Sequence, residues 1–372
     1  MAAQVNSKPG ISRRDYGLLP DGRVVHEYTL DNGRGLCLSA ITYGGIVTAL
    51  WVPDRAGRPA NVVLGFDNLR DYLERNPFFG VTVGRYGNRI AQGRFMLDGQ
   101  SHQLNLNDGA NCLHGGASGF GTRLWEADIV PAAEAGLCPD LLLRYTSPDG
   151  EGGFPGQMTV SVRYSLGYSL KGEQTWCIAY EARCDRPTVV NLTHHDYFNL
   201  AGQGTAMDQR LMIAASRYTE VDGARIPTGN APVEGTPFDF RRPGVIAPRL
   251  RQPHPQLIAA RGFDHNWLLD HPFDGALHLA ASLEDPLSGR KMEVLTTEPA
   301  IQFYSGNFLD ASLLGSGGEA YRQGDGLCLE TQHSPDSPNH SPADPDWPST
   351  VLRPGEVYRS RTEHRFSAQN LP

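Results

Sequence analysis

The residues of this chain that could do chemistry concentrate in Asn191-Leu192-Thr193-His194-His195-Asp196-Tyr197-Phe198-Asn199-Leu200, directly after the β-like run Pro187-Thr188-Val189-Val190. Polar groups this dense among apolar ones suit a strand that leaves a core to line a site. Histidine, with an ordinary pKa of about 6.5, can give and take protons near neutrality. The second anchor is Glu330, which follows Leu327-Cys328-Leu329. A glutamate ending an apolar strand is partly desolvated, which raises its pKa and suits it to act as a base. Taken singly, each stretch also fits a plainer role: histidines satisfied at a strand end, and an exposed strand-end carboxylate.

Other chemistries are weighed on the same residues. His194, His195, Asp196, Asp264, His265 and Glu330 are all metal-ligand types. Adjacent residues of a strand point to opposite faces, however, so only one of the tandem histidines can face a given cleft. No HExxH set appears, and metal catalysis is disfavoured. No GxSxG elbow is present for nucleophilic hydrolysis. Glycoside hydrolysis needs two carboxylates at a set separation, and Asp264 with Glu330 could supply them.

The elements that must hold these residues are strands. Turn signals recur every 8–12 residues or so, as at Pro20-Asp21-Gly22, Asp31-Asn32-Gly33 and Asp98-Gly99, which is the pattern of an all-β sandwich or barrel. Met158, Val160, Val162 and Tyr164 alternate with polar residues, and so do Trp176, Ile178, Tyr180 and Ala182; both runs read as half-buried antiparallel strands. Asn68 to Arg75 reads as one short helix capped by Asn68. The glycines around His114 allow backbone to come close to a ligand or to fold tightly on itself. No repeat or linker is visible. The expectation is a loose tail over residues 1–14 and one large antiparallel β-sandwich domain over 15–372.

At 372 residues and 40 % hydrophobic, with a mean hydropathy of −0.38, the chain has ample material for a core. A formal charge of −8 disfavours nucleic acid and anionic membrane as partners. No run of about 18 apolar residues exists, so no membrane span is expected. The six cysteines are dispersed without CxxC spacing, and no secretory signal is visible near Met1 to Asp15; both point to a reducing, cytoplasmic setting.

Together these segments resemble the aldose 1-epimerase (galactose mutarotase) family. The resemblance is carried by Thr42-Tyr43-Gly44-Gly45, Gly84-Arg85-Tyr86-Gly87-Asn88-Arg89-Ile90, Leu113-His114-Gly115-Gly116 and the His195 stretch. It continues through Phe263-Asp264-His265-Asn266, Gln302 to Phe308, Glu330-Thr331-Gln332 and Leu352-Arg353-Pro354-Gly355-Glu356. It implies an all-β supersandwich that interconverts the α and β anomers of free aldoses without metal or organic cofactor. It places His195 as general acid and Glu330 as general base, with Asn88, Arg89, His114, Tyr197, Asp264 and Gln302 on the sugar. The expected chemistry opens the C1–O5 bond between a carboxylate and an imidazolium on opposite sides of the sugar. Asp196 is expected to tune the neighbouring histidine's pKa upward. The alternatives are a carbohydrate-binding protein on the same fold, or a mutarotase for a sugar phosphate using basic groups such as Arg241-Arg242 or Arg249 and Arg251. Which aldose is preferred, whether the chain is a monomer or homodimer, and the roles of His194, His265, His333 and the loop 341–350 stay open at this level.

Overall fold

Alternating apolar residues become strands whose buried side chains share one face. A computed structural model describes residues 8–368 except 133, 135 and 342. Met158–Tyr168 pairs antiparallel with Gln174–Cys184, setting Tyr164 opposite Ile178 and Leu166 opposite Trp176, all buried. These two strands belong to a nine-stranded sheet. Its order is Glu126–Val130, Asp140–Ser147, Met158–Tyr168, Gln174–Cys184, Tyr358–Ala368, Arg290–Thr296, His278–Glu284, Arg210–Ile213 and Gly244–Val245. A five-stranded sheet runs in chain order from Gly10–Leu18 to Pro59–Asn61. A second five-stranded sheet orders Pro227–Pro232, Arg217–Val221, Asp264–Leu268, Ala300–Tyr304 and Cys328–Gln332. The strand ladders are antiparallel, and one core cluster draws on all three sheets, with Leu38, Trp176 and Phe303 among its members. The molecule is the expected large antiparallel β-sandwich.

The second five-stranded sheet is the platform of the site. Cross-strand neighbours share a face. On one side lie Asn266, Gln302 and Glu330 in one row and Asp264, Tyr304 and Cys328 in the next. The opposite side carries His265, Phe303 and Leu329, then Trp267, Ile301 and Thr331. Phe303, Leu329, Trp267 and Ile301 belong to the core cluster, so the polar row is forced to face the other way.

The Asn191 stretch threads between the sheets. Thr193–His194 pairs with Thr82–Val83, and Phe198 bridges to both Val63 and Leu327. Asn191 is fully buried, its Nδ2 donating to Gly87 O and its Oδ1 accepting from the His333 amide, so its glycosylation sequon is internal. The helix at Leu69–Glu74 is capped as expected, Asn68 Oδ1 accepting from the Asp71 amide at 3.0 Å.

One expectation is corrected. Residues 10–14 are not loose tail: Gly10–Leu18 is an edge strand paired with Val24–Asp31, and its polar, outward side chains hide it from a periodicity search; residues 1–7 lie outside the described residues. The Pro-rich span 227–255 holds the edge strand Pro227–Pro232 and the short helix Ile246–Leu250, with the helix Pro255–Ala260 starting at its end. The loop 341–350 is pinned where it is described: Asp346 accepts from Arg217 and Asn230, and Trp347 stacks on His340 with ring centroids 4.0 Å apart. No helix among the described residues is long and apolar enough to cross a membrane, and the six cysteines are unpaired.

Candidate active site

Strand alternation separates the tandem histidines. His194 turns toward the nine-stranded sheet, with Nδ1 2.6 Å from Asp196 Oδ2 and Nε2 2.9 Å from the Tyr164 hydroxyl. His195 turns the other way, and its Nε2 stands 3.7 Å from Glu330 Oε1. Both members of this second pair are buried, at 5 % and 2 % exposure. Burial dominates their proton affinities. It lowers His195 to about 4 and raises Glu330 well above the ordinary carboxylate range, Asp264 adding to the latter by repulsion. Both groups are thus pushed toward their uncharged forms. The nearby Asp196 does favour protonated His195, the upward pull expected of it, but desolvation outweighs it. Its carboxyl also bonds His194. The 3.7 Å separation suits two oxygens borne by one carbon.

His195 is held by its surroundings. Its amide donates to Val81 O at 3.1 Å, and its Nδ1 lies 3.5 Å from the buried Cys328 Sγ. Tyr197 stacks on its ring at 5.1 Å, and Phe78 lies over it at 5.7 Å. Tyr197 donates its hydroxyl to Pro77 O at 2.9 Å and backs the histidine with its ring.

Asn88 and His114 lock each other. The His114 amide donates to Asn88 O at 3.1 Å, and the Asn88 amide donates to His114 Nδ1 at 3.2 Å. Burial holds His114 well below its usual pKa, with repulsion from His195 and Arg89 adding to it. A neutral ring that accepts at Nδ1 carries its proton on Nε2. The next residue must be glycine: a Cβ on Gly115 would stand 2.1 Å from Gly84 O. His114, His195 and Glu330 bring possible ligand atoms within 4.8 Å of one another, the one such group of three among the described residues. With Nε2 protonated, however, His114 offers this space a donor and not a lone pair, which does not suit a cation.

The remaining expected residues fall around this pair. Gln302 Nε2 donates to Asp264 Oδ1 at 2.8 Å, which leaves buried Gln302 Oε1 without a partner, as is Glu330 Oε2. Arg89 Nε donates to Asp108 Oδ2 at 2.7 Å. Its neighbour in the motif, Arg85, is structural, with guanidinium bonds to Pro155 O, Gly156 O and Ser147 Oγ. His265 and His333 face away from the cleft. His265 bonds Gln256 Oε1 at 3.0 Å and is lowered to about 3 by burial, and His333 bonds Glu298 Oε2 at 2.7 Å. Phe78, Asp108, Arg225 and Cys328 escaped the sequence reading as site residues. Cys328 stood in the stretch that leads to Glu330, and Asp108 lies in the loop just before His114, but neither was singled out for chemistry.

This arrangement, a buried imidazole and carboxyl side by side under a rim of hydroxyl-binding groups, matches known proteins along nearly its whole length. A profile of the aldose 1-epimerase family matches residues 26–365. The chain belongs to the aldose 1-epimerase family. The galactose mutarotase of Rattus norvegicus is 43 % identical over 365 residues, covering 96 % of this chain and 98 % of that one. The aldose 1-epimerase of Escherichia coli K12 is 37 % identical over 356 residues, covering 95 % and 98 %. The crystal structure of galactose 1-epimerase from Lactobacillus acidophilus superposes with a TM-score of 0.83 at 28 % identity, covering 97 % of this chain and 99 % of that one. Membership makes this chain an isomerase acting on carbohydrates.

Proposed function

We propose that this aldose 1-epimerase family member is a mutarotase for free aldoses such as galactose and glucose, with His195 and Glu330 as its proton-transfer pair and no metal. The observation that carries the reading is the buried His195 Nε2–Glu330 Oε1 approach of 3.7 Å, with the two affinities shifted toward each other.

Such a pair, its two affinities drawn toward each other, can share one proton between its members. In ring opening, one member takes the proton of the C1 hydroxyl while the other protonates O5, and the C1–O5 bond breaks to give the open-chain aldehyde. The proton has then changed sides within the pair. Rotation about C1–C2 presents the other face of the carbonyl, O5 attacks C1, and closure returns the proton. His195 acts as acid and Glu330 as base when the proton starts on the imidazole; the roles reverse when it starts on the carboxyl. The donor His114 Nε2–H, the cation Arg89, and the acceptors Asp264 and Gln302 Oε1 are suited to hold sugar hydroxyls.

The phosphate alternative finds no support at the basic groups proposed for it. Arg241 pairs with Asp239, and Arg249 donates to Pro237 O and lies over Phe240. A purely binding protein has no need of a buried acid–base pair.

Polarimetry of freshly dissolved α-D-galactose and α-D-glucose, with and without protein and with a chelator present, tests the proposal. Faster relaxation in chelator is expected; no acceleration of any free aldose would sink it. In the same assay Glu330→Gln should lower kcat about 10²–10⁴-fold with the fold intact.

A further inference from the structure

A cation that the reaction scheme leaves unused stands beside Asp264. Arg225 lies in the tight turn 222–226, where Asp222 Oδ1 accepts from the Ala224 and Ile226 amides at 2.8 and 3.0 Å. Its backbone is left-handed, at φ 63°, a conformation a non-glycine residue enters at an energetic cost and one that fixes the direction of its side chain. Arg225 Nη2 donates to Asp108 Oδ1 at 3.2 Å, the same carboxylate that takes Arg89. Its guanidinium carbon sits 5.2 Å from the centroid of the half-exposed Phe308 ring.

One donor is left over. Arg225 Nε is buried and makes no hydrogen bond, yet it faces Asp264 Oδ2 across 3.9 Å. That is too long for a direct bond. Asp264 Oδ1 is already taken by Gln302. A lone N–H and a carboxylate oxygen therefore lie side by side, close enough for one hydroxyl oxygen beside them to bond both. A hydroxyl satisfies both, donating to the carboxylate and accepting from the N–H, whereas a methylene satisfies neither.

We propose that Arg225 is a specificity-determining residue: its Nε–H and Asp264 Oδ2 together grip one hydroxyl of the sugar, so the site selects aldoses that carry this hydroxyl. The inference rests on the mutarotase reading. The grip forms with the sugar on its ground-state side as well as in the transition state, so it belongs in KM more than in kcat.

The test compares wild type, Arg225→Met and Arg225→Lys on galactose, glucose and their 2-, 3-, 4- and 6-deoxy derivatives by polarimetry, with urea unfolding as a check on the fold. In wild type, one deoxy sugar should show a KM about 10–100-fold above its parent, the span of a hydrogen bond to a charged group. Arg225→Met should raise KM for the parents by a similar factor, leave that deoxy sugar unchanged, and alter kcat little. Arg225→Lys keeps a charge beside Asp108 but has no Nε–H, and should follow Arg225→Met. Arg261→Met removes the other guanidinium over Phe308, 5.9 Å from its ring centroid, and should leave every KM unchanged. Three results overturn the proposal: no change in Arg225→Met, an equal change for all sugars, or the same pattern in Arg261→Met. Should wild type accelerate no aldose, the mutarotase reading fails by itself. The grip is then judged by the same pattern in calorimetric Kd values for these sugars, and an absent pattern overturns it too.

Discussion

His195 and Glu330 make opposite use of one environment. The same burial that lowers the proton affinity of the imidazole raises that of the carboxyl, so both are pushed toward their uncharged forms. The activity profile should follow from the proton count of the pair. Below pH about 4, His195 takes a second proton and the pair loses its base. On the alkaline side the rate should fall only where Glu330 gives up the last proton, well above the ordinary carboxylate range. The limbs of the kcat/KM profile should be properties of the pair rather than of either residue. An acid limb near pH 6.5, where an ordinary histidine titrates, would contradict this account. His195 and Glu330 were legible in sequence because each stands where an apolar strand meets polar residues. Arg225 was not, because a single arginine in a turn looks like any solvated loop charge until Asp108, Asp264 and Phe308 are seen around it.

Strand geometry decides which of two identical side chains meets the cleft. Successive side chains point to opposite faces, so His194 and His195 cannot share a role. Removing His194 leaves the buried carboxyl of Asp196, whose Oδ1 already lacks a partner, without its hydrogen-bond partner. His194→Ala should therefore cost about 1–3 kcal/mol of stability, read by urea unfolding. His195→Ala should instead lower kcat by about 10²–10⁴-fold with a smaller loss of stability. The reverse pattern would shift the assignment by one residue. The same period of two sorts the platform strands: Gln302 and Glu330 face the site because Ile301, Phe303 and Leu329 must face the core. Where an element is short, polar or at an edge, as at Gly10–Leu18 and Pro227–Pro232, no such sorting exists to be read, and the sequence showed only loop.

Across the whole molecule, His114, His195, His265 and His364 are all buried with lowered pKa values, the last to about 4. An unfolded histidine titrates near 6.5, so the unfolded chain binds protons first as pH falls. Stability should decline between about pH 6.5 and 4, by about 1.4 kcal/mol per pH unit for each proton of difference. Glu330 acts in the opposite sense, with one proton held in the folded state and released in the unfolded one above its ordinary pKa, and only partly offsets four histidines. Calorimetry at pH 7 and pH 5 should show a lower Tm at pH 5; an unchanged Tm would mean that these rings are not buried neutral. Sequence alone determined the all-β class and half-buried strands such as those at Met158 to Tyr164 and Trp176 to Ala182, because these follow from local alternation; the proton-transfer roles of His195 and Glu330 came from the family resemblance. Only the tertiary structure decided that Met158–Tyr168 pairs with Gln174–Cys184, that Asp196 bonds His194, that the Tyr197 ring backs His195, and that Arg225 reaches Asp264. Each of those depends on contacts between segments tens to hundreds of residues apart or on which face a side chain finds open, and no local pattern records either.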